Sequence, residues 1–133
     1  MNLSFSPEEE CQLKNCGVKA VILFGSQAQN IANAASDYDI GIIASAKSDH
    51  NTIYSLLYDL LSSKINRLVD IDIVFLDQAP GELLAHVVKY GVVLYQNTPN
   101  TFAQFKEKVI NSYADFAPLR AIFSNAILSR ISL

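Results

Sequence analysis

The chain has 133 residues, half of them hydrophobic and 17% charged, with a formal net charge of −3. A single domain of this size buries roughly two-thirds of its unfolded surface, so it needs neither disulfide nor metal to hold a core. The composition excludes a disordered chain, and the acidic balance argues against a dedicated nucleic-acid binder, which carries a basic face.

Cys11 and Cys16 are the only cysteines, and His50 and His86 the only histidines. Zinc sites use paired short spacings, which are missing here, so both cysteines read as reduced thiols of a cytoplasmic protein. The opening stretch MNLSFSPEEE has neither the basic nor the apolar region of a signal peptide. No apolar run approaches the roughly 20 residues of a membrane span. The expectation is a soluble, cytoplasmic protein with no membrane contact.

In chain order, Ser6-Pro7-Glu8-Glu9 predicts a helix start, with Ser6 as cap, Pro7 at the first helical position and Glu9 closing a capping box. Gly17 should stop that helix. VKAVILF (18–24) predicts a buried strand, and Gly25-Ser26 turns the chain out of it into a short helical or irregular stretch. YDIGIIA (38–44) is a second strand. Ile53, Leu56, Leu57, Leu60, Leu61 and Ile65 recur at helical spacing and predict an amphipathic helix over 51–66. VDIDIVFL (69–76) is a third strand; Asp77 to Pro80 opens a helix that Gly91 ends, and Asp77 reads as its cap. VVLYQ (92–96) is a short fourth strand. From Pro99 onward the pattern is helical again, through Phe102, Phe105, Val109, Phe116, Leu119, Ile122, Phe123 and Ile127, with Pro118 expected to kink or split it. Strands alternating with helices predict an α/β or α+β fold built on one sheet.

The acids in the second and third strands have no place in an ordinary core, where ionised carboxylates are expensive unless something cationic meets them. Residues two apart in a strand point the same way, so Asp37 and Asp39 should share a face, as should Asp70 and Asp72. If the two strands are neighbours, a third carboxylate joins the first pair. Clustered acids repel; a divalent cation removes the conflict, and Mg²⁺ favours a few carboxylates with its other ligands drawn from water and phosphate. Gly25 permits a close backbone approach, turn N–H groups can cradle phosphates, and Ser26 adds a hydroxyl. A phosphate cradle beside metal-binding acids suits phosphoryl or nucleotidyl transfer. Either feature alone is ordinary: a Gly-Ser after a strand is usually a turn, and a D-x-D at a strand end is usually solvated. Their conjunction carries the reading.

Gly25-Ser26, ten intervening residues, then Asp37-Tyr38-Asp39 resembles the signature of the minimal nucleotidyltransferase (MNT) family of the polymerase-β-like superfamily. The V-D-[LIV]-V segment carrying that family's third acid maps on to Asp72 in DIDIVFLDQAP, with Asp70 the lesser candidate. LLAHVVKYGVVLYQ (83–96) and SYADFAPLRAI (112–122) extend the similarity over nearly the whole chain, and the second resembles the tail of MntA-type antitoxins. The resemblance implies one mixed sheet of about four strands packed by helices, in a single domain (1–133) with a C-terminal helical extension from about residue 99. It implies an antitoxin that uses ATP and Mg²⁺ to transfer AMP to a tyrosine of a cognate HEPN-domain ribonuclease toxin (HepT-like) and binds that toxin in a hetero-oligomer. Asp37, Asp39 and Asp72 would be its metal-binding and catalytic residues, and Gly25 and Ser26 would hold the β- and γ-phosphates. No direct contact with nucleic acid is expected.

This chain departs from the family's G-S-R-A-R-G pattern, placing Gln27, Gln29 and Asn30 where two arginines and a glycine are usual. That keeps a second function in view, a binding antitoxin that neutralises by occlusion with a vestigial site. A small-molecule transferase would need a further substrate domain, for which 133 residues leave little room. His86 reads as packing or surface, and the terminal aromatic stripe (Phe102, Phe105, Tyr113, Phe116, Phe123) as core that is in part a partner surface.

Overall fold

The computed structural model of the chain describes residues 3–25, 38–65 and 70–113. These form α1 (Pro7–Asn15), β1 (Val18–Phe24), β2 (Tyr38–Ala44), α2 (His50–Ser62), β3 (Ile71–Phe75), a 3₁₀ turn (Leu76–Gln78), α3 (Gly81–Tyr90), β4 (Val92–Gln96) and α4 (Thr101–Tyr113). Ser6 caps α1 through a reciprocal box: its hydroxyl accepts from Glu9 N–H at 3.2 Å, while Glu9 Oε1 accepts from Ser6 N–H at 2.8 Å. Two of the four orphan donors at the helix start are thereby satisfied. The helix ends at Asn15, and Gly17 takes φ +90° to turn the chain into β1.

The four strands form one sheet in the order β3-β2-β1-β4. β1 lies antiparallel to both β2 and β4, whereas β2 and β3 run parallel, with α2 in the connection between them. The sheet is therefore mixed, and β1 and β2 are its central strands. Ile22, Ile40 and Ile42 are fully buried there, as strands covered on both faces require.

Alternation sends each strand's side chains to two separate cores. Val21, Ile40, Ile42 and Ile73 pack with Leu13 of α1 and with Ile53, Leu57 and Leu61 of α2. Ala20, Ile22 and Phe24 pack on the other face with Leu84, Val87 and Val88 of α3 and with Phe102 and Val109 of α4. Ile43 and Val74 join this second layer. Since Asp39 and Gly41 alternate with Ile40 and Ile42, they belong to the α3/α4 face, as Asp72 does in β3.

Three expected elements differ in detail. The helix expected over 51–66 is the shorter His50–Ser62. The third strand, expected over 69–76, is the shorter Ile71–Phe75, because Leu76 begins the 3₁₀ turn and buries itself against Gly41. Asp77 does not cap a helix. It lies inside the 3₁₀ turn, with Oδ2 3.6 Å from His50 Nε2, while the residue preceding α3 is Pro80, which makes no side-chain cap. Ser26, Asp37, Gln27, Gln29, Asn30, Pro118, Phe116, Leu119, Ile122, Phe123 and Ile127 lie outside the described residues, as does most of the proposed C-terminal extension.

Candidate functional site

The parallel pairing of β2 with β3 sets Asp39 opposite Asp72, in a ladder that runs from Tyr38–Ile71 to Ile42–Phe75. Neighbouring strands stand about 4.8 Å apart, so two side chains at one register position on one face are adjacent. A backbone bond from Tyr38 N–H to the Asp70 carbonyl, 3.0 Å, extends the pairing beyond the start of β3 and secures the register. Asp39 is half-buried and Asp72 exposed, placing the pair at the sheet's margin rather than in its core. Asp70 is exposed and precedes the strand; its described role is that backbone carbonyl.

Gly25 completes this end of the sheet. On the other side of β2, Phe24 is registered against Asp39, so Gly25 leaves β1 directly beside the acid. Its φ is +76°, and a Cβ placed there would run into Asp39 Oδ2. Left-handed backbone and missing side chain thus serve one end: the chain turns sharply out of the sheet while the Asp39 carboxylate occupies the space a side chain would fill. The sequence pattern anticipated a close approach at Gly25; its specific neighbour, a carboxylate from the next strand, comes from the antiparallel register.

The donor set fits a hard divalent cation. Two carboxylates on one face at one register position offer the hard oxygen donors that suit Mg²⁺, whose remaining positions stay open to water and phosphate. Among the described residues no group of three His, Cys, Asp or Glu converges. Asp39 and Asp72 are brought together, whereas Asp37 and Ser26, the other two expected site residues, lie outside the described residues.

A model of the family described as "Polymerase beta, Nucleotidyltransferase" matches residues 9–100, a span that includes Gly25, Asp39 and Asp72. The chain belongs to this family. The resemblance read from the Gly-Ser and acid spacing is thus borne out, and so is the polymerase-β-like mixed sheet. Among solved structures, the chain is similar to one described as a toxin–antitoxin with AMP-PNP, at 24% identity and a TM-score of 0.63, covering 96% of this chain and 100% of that one. It is similar to a substituted form of the toxin–antitoxin MntA-HpeT, at 25% identity and a TM-score of 0.64, covering 98% and 100%. A third is a tri-AMPylated Shewanella oneidensis HEPN toxin in complex with MNT antitoxin, at 23% identity and a TM-score of 0.56, covering 95% and 98%. No curated protein matches the chain by sequence.

One side-chain grouping escaped the sequence pattern. His50 stacks on Phe75, with ring centroids 3.9 Å apart and planes 5° from parallel. His86 on α3 is half-buried, its ring centroid 6.1 Å from that of Phe24 and 4.9 Å from that of Tyr90, which agrees with a packing role. Among the described residues, no helix is long and apolar enough to cross a membrane.

Proposed function

We propose that this protein is a cytoplasmic antitoxin that transfers AMP from ATP to a tyrosine of a cognate HEPN ribonuclease toxin, with Mg²⁺, and binds that toxin in a hetero-oligomer. The observation that carries the reading is the Asp39–Asp72 pairing beside Gly25. Membership of a nucleotidyltransferase family supports the reaction class. The partner is supported by similarity to complexes described as holding AMP-PNP and an AMPylated HEPN toxin.

In this reading Asp37, Asp39 and Asp72 would hold the metal, and Gly25 and Ser26 would receive the β- and γ-phosphates, leaving the α-phosphorus open to the incoming tyrosine and pyrophosphate free to depart. Mg²⁺ held there would supply charge neutralisation for the triphosphate and its leaving group. Asp72, the more exposed of the two described acids, accepts the tyrosine hydroxyl proton at its carboxylate as the new phosphoester bond forms. The rigid β2–β3 ladder holds the acids in place, and such positioning is the main thing a protein contributes to transfer of this kind. We assign the whole chain to one domain, whose segment from about residue 99 contributes the toxin-binding surface.

The test is co-expression with the neighbouring toxin gene, then mass spectrometry of the toxin after incubation with ATP and Mg²⁺. Adenylyl increments on a toxin tyrosine are expected with the wild-type chain and not with Asp39→Ala/Asp72→Ala. Increments that persist undiminished with that double variant would refute the roles of these acids. A stable complex without any modification would favour neutralisation by occlusion, the reading that Gln27 in place of the usual arginine keeps open.

A further inference from the structure

A second concavity lies on the same face of the sheet as the acid pair but at its other end. It has a volume of about 410 Å³, and Ile43, Leu76, Leu84, Phe105 and Val109 supply its apolar lining. The pairing of Val18 with Ala44 marks this end of β1 and β2, and that of Phe24 with Asp39 marks the other. The Val18–Ala44 end lies five residues of extended β2 from Asp39, about 17 Å at the usual rise per residue, while Leu76 reaches back to Gly41, two residues from the acid. Neither Asp39 nor Asp72 lines the cavity.

Its polar groups are unequally matched. Lys19 of β1 and Lys108 of α4 both line it, accompanied by Gln104 and Ser112. Among the described residues neither lysine has an ion-pair partner; the pairs present are His50–Asp77 and Lys64–Glu9. Asp77 also lines the cavity, but its Oδ2 lies 3.6 Å from His50 Nε2. A cavity of this volume falls in the range of small-molecule sites, and its lining, half apolar and half polar, carries two lysines against the single Asp77 and so a net positive charge.

We propose that this cavity binds a small amphipathic anion, an apolar body carrying a single carboxylate or similar acidic head. The aliphatic part lies against Leu76, Leu84, Phe105 and Val109, and the head meets Lys19 and Lys108. The inference is independent of the transferase reading, since none of these residues belongs to the acid site.

Titration calorimetry of the full chain with octanoate, hexanoate, octanol and octylammonium tests it. Saturable one-to-one binding of octanoate is expected, roughly fifteenfold tighter than hexanoate because each of its two extra buried methylenes is worth about a fourfold gain. Octanoate should also exceed octylammonium by at least tenfold. Lys19→Glu/Lys108→Glu should weaken octanoate at least fivefold and leave octanol unchanged. Ser112→Trp, at an exposed lining position on the last turn of α4, should block all of these ligands. The substituted positions are solvent-exposed, and unchanged circular dichroism melting will show that the fold is kept. Equal affinity for the anionic and cationic amphiphiles, absence of saturable binding, or wild-type octanoate affinity in both variants would overturn the proposal.

Discussion

Gly25→Ala is the substitution on which the site's geometry can be tested without a substrate. The residue has φ +76°, and an added Cβ would meet Asp39 Oδ2, with Asp39 Cγ at 3.1 Å and Cβ at 3.3 Å. Placing an alanine in left-handed backbone costs roughly 1–2 kcal/mol. Forcing a methyl group into occupied space adds roughly 1–3 kcal/mol. The single variant should therefore lose roughly 2–5 kcal/mol, a large fraction of the stability of an ordinary small domain. In an Asp39→Ala background the carboxylate is gone and only the 3.3 Å Cβ approach remains. There the cost should fall to the backbone contribution alone, roughly 1–2 kcal/mol. The double-mutant cycle is thus expected to show at least about 1 kcal/mol of coupling, whereas independent sites add to within about 0.5 kcal/mol. Urea unfolding of all four proteins, followed by circular dichroism, measures it. Additive losses would mean that the Asp39 carboxylate does not sit against Gly25, and the described site would be wrong.

Other expectations concern the scaffold. Leu57, fully buried between α2 and the sheet, should cost roughly 2–5 kcal/mol as Leu57→Ala, read by the same unfolding assay, and a loss under about 1 kcal/mol would contradict the packing. The Ser6 backbone N–H, and then the Lys64 ammonium 2.9 Å away, hold the Glu9 carboxyl below its ordinary pKa. A carboxylate with a lowered folded-state pKa contributes stability above its unfolded value and loses it as pH falls through the folded one. Lys64→Met should therefore be less stable than wild type at neutral pH, by an amount that shrinks in acid below the glutamate range. A difference that is flat across that range would remove Glu9 from the account. The functional counterpart is the proposed AMP transfer to the toxin, which is expected to be lost with both acids removed, as mass spectrometry of the toxin would read.

Much of the scaffold was legible because several local signals agreed. β1, β2 and β4 fall on the expected residues 18–24, 38–44 and 92–96. Two of these runs follow Gly17 and Gly91, which mark where the preceding helices stop, and Gly25 ends the first of them. The capping box at Ser6 and Glu9 is a local motif and forms as its spacing implies. Asp77 shows what spacing misses. A lone acid before an apolar helix reads as a cap, yet Leu76 packing on Gly41 draws this stretch into a 3₁₀ turn, and Asp77 meets His50 from a distant part of the chain. Strand alternation said that Asp39 and Asp72 each face one side, but not that they meet. Parallel pairing of β2 with β3 decided that, and pairing depends on long-range packing that no short window encodes. For the same reason the Asp39 carboxylate beside Gly25 could be reached only through the register of β1 with β2.

The central claim is that Asp39 and Asp72 act together on one metal-dependent nucleotide site, and ATP titration of the free chain, with and without Mg²⁺, tests it most directly. Asn at either position keeps the shape of the side chain and removes its charge, and the exposed Asp72 can be changed with a stability effect within about 0.5 kcal/mol. Calorimetry should show that Mg²⁺ tightens ATP binding to the wild-type chain and that this gain disappears in both Asp39→Asn and Asp72→Asn. If both variants keep the full Mg²⁺-dependent gain, the two acids do not hold the metal, and the nucleotide site lies elsewhere.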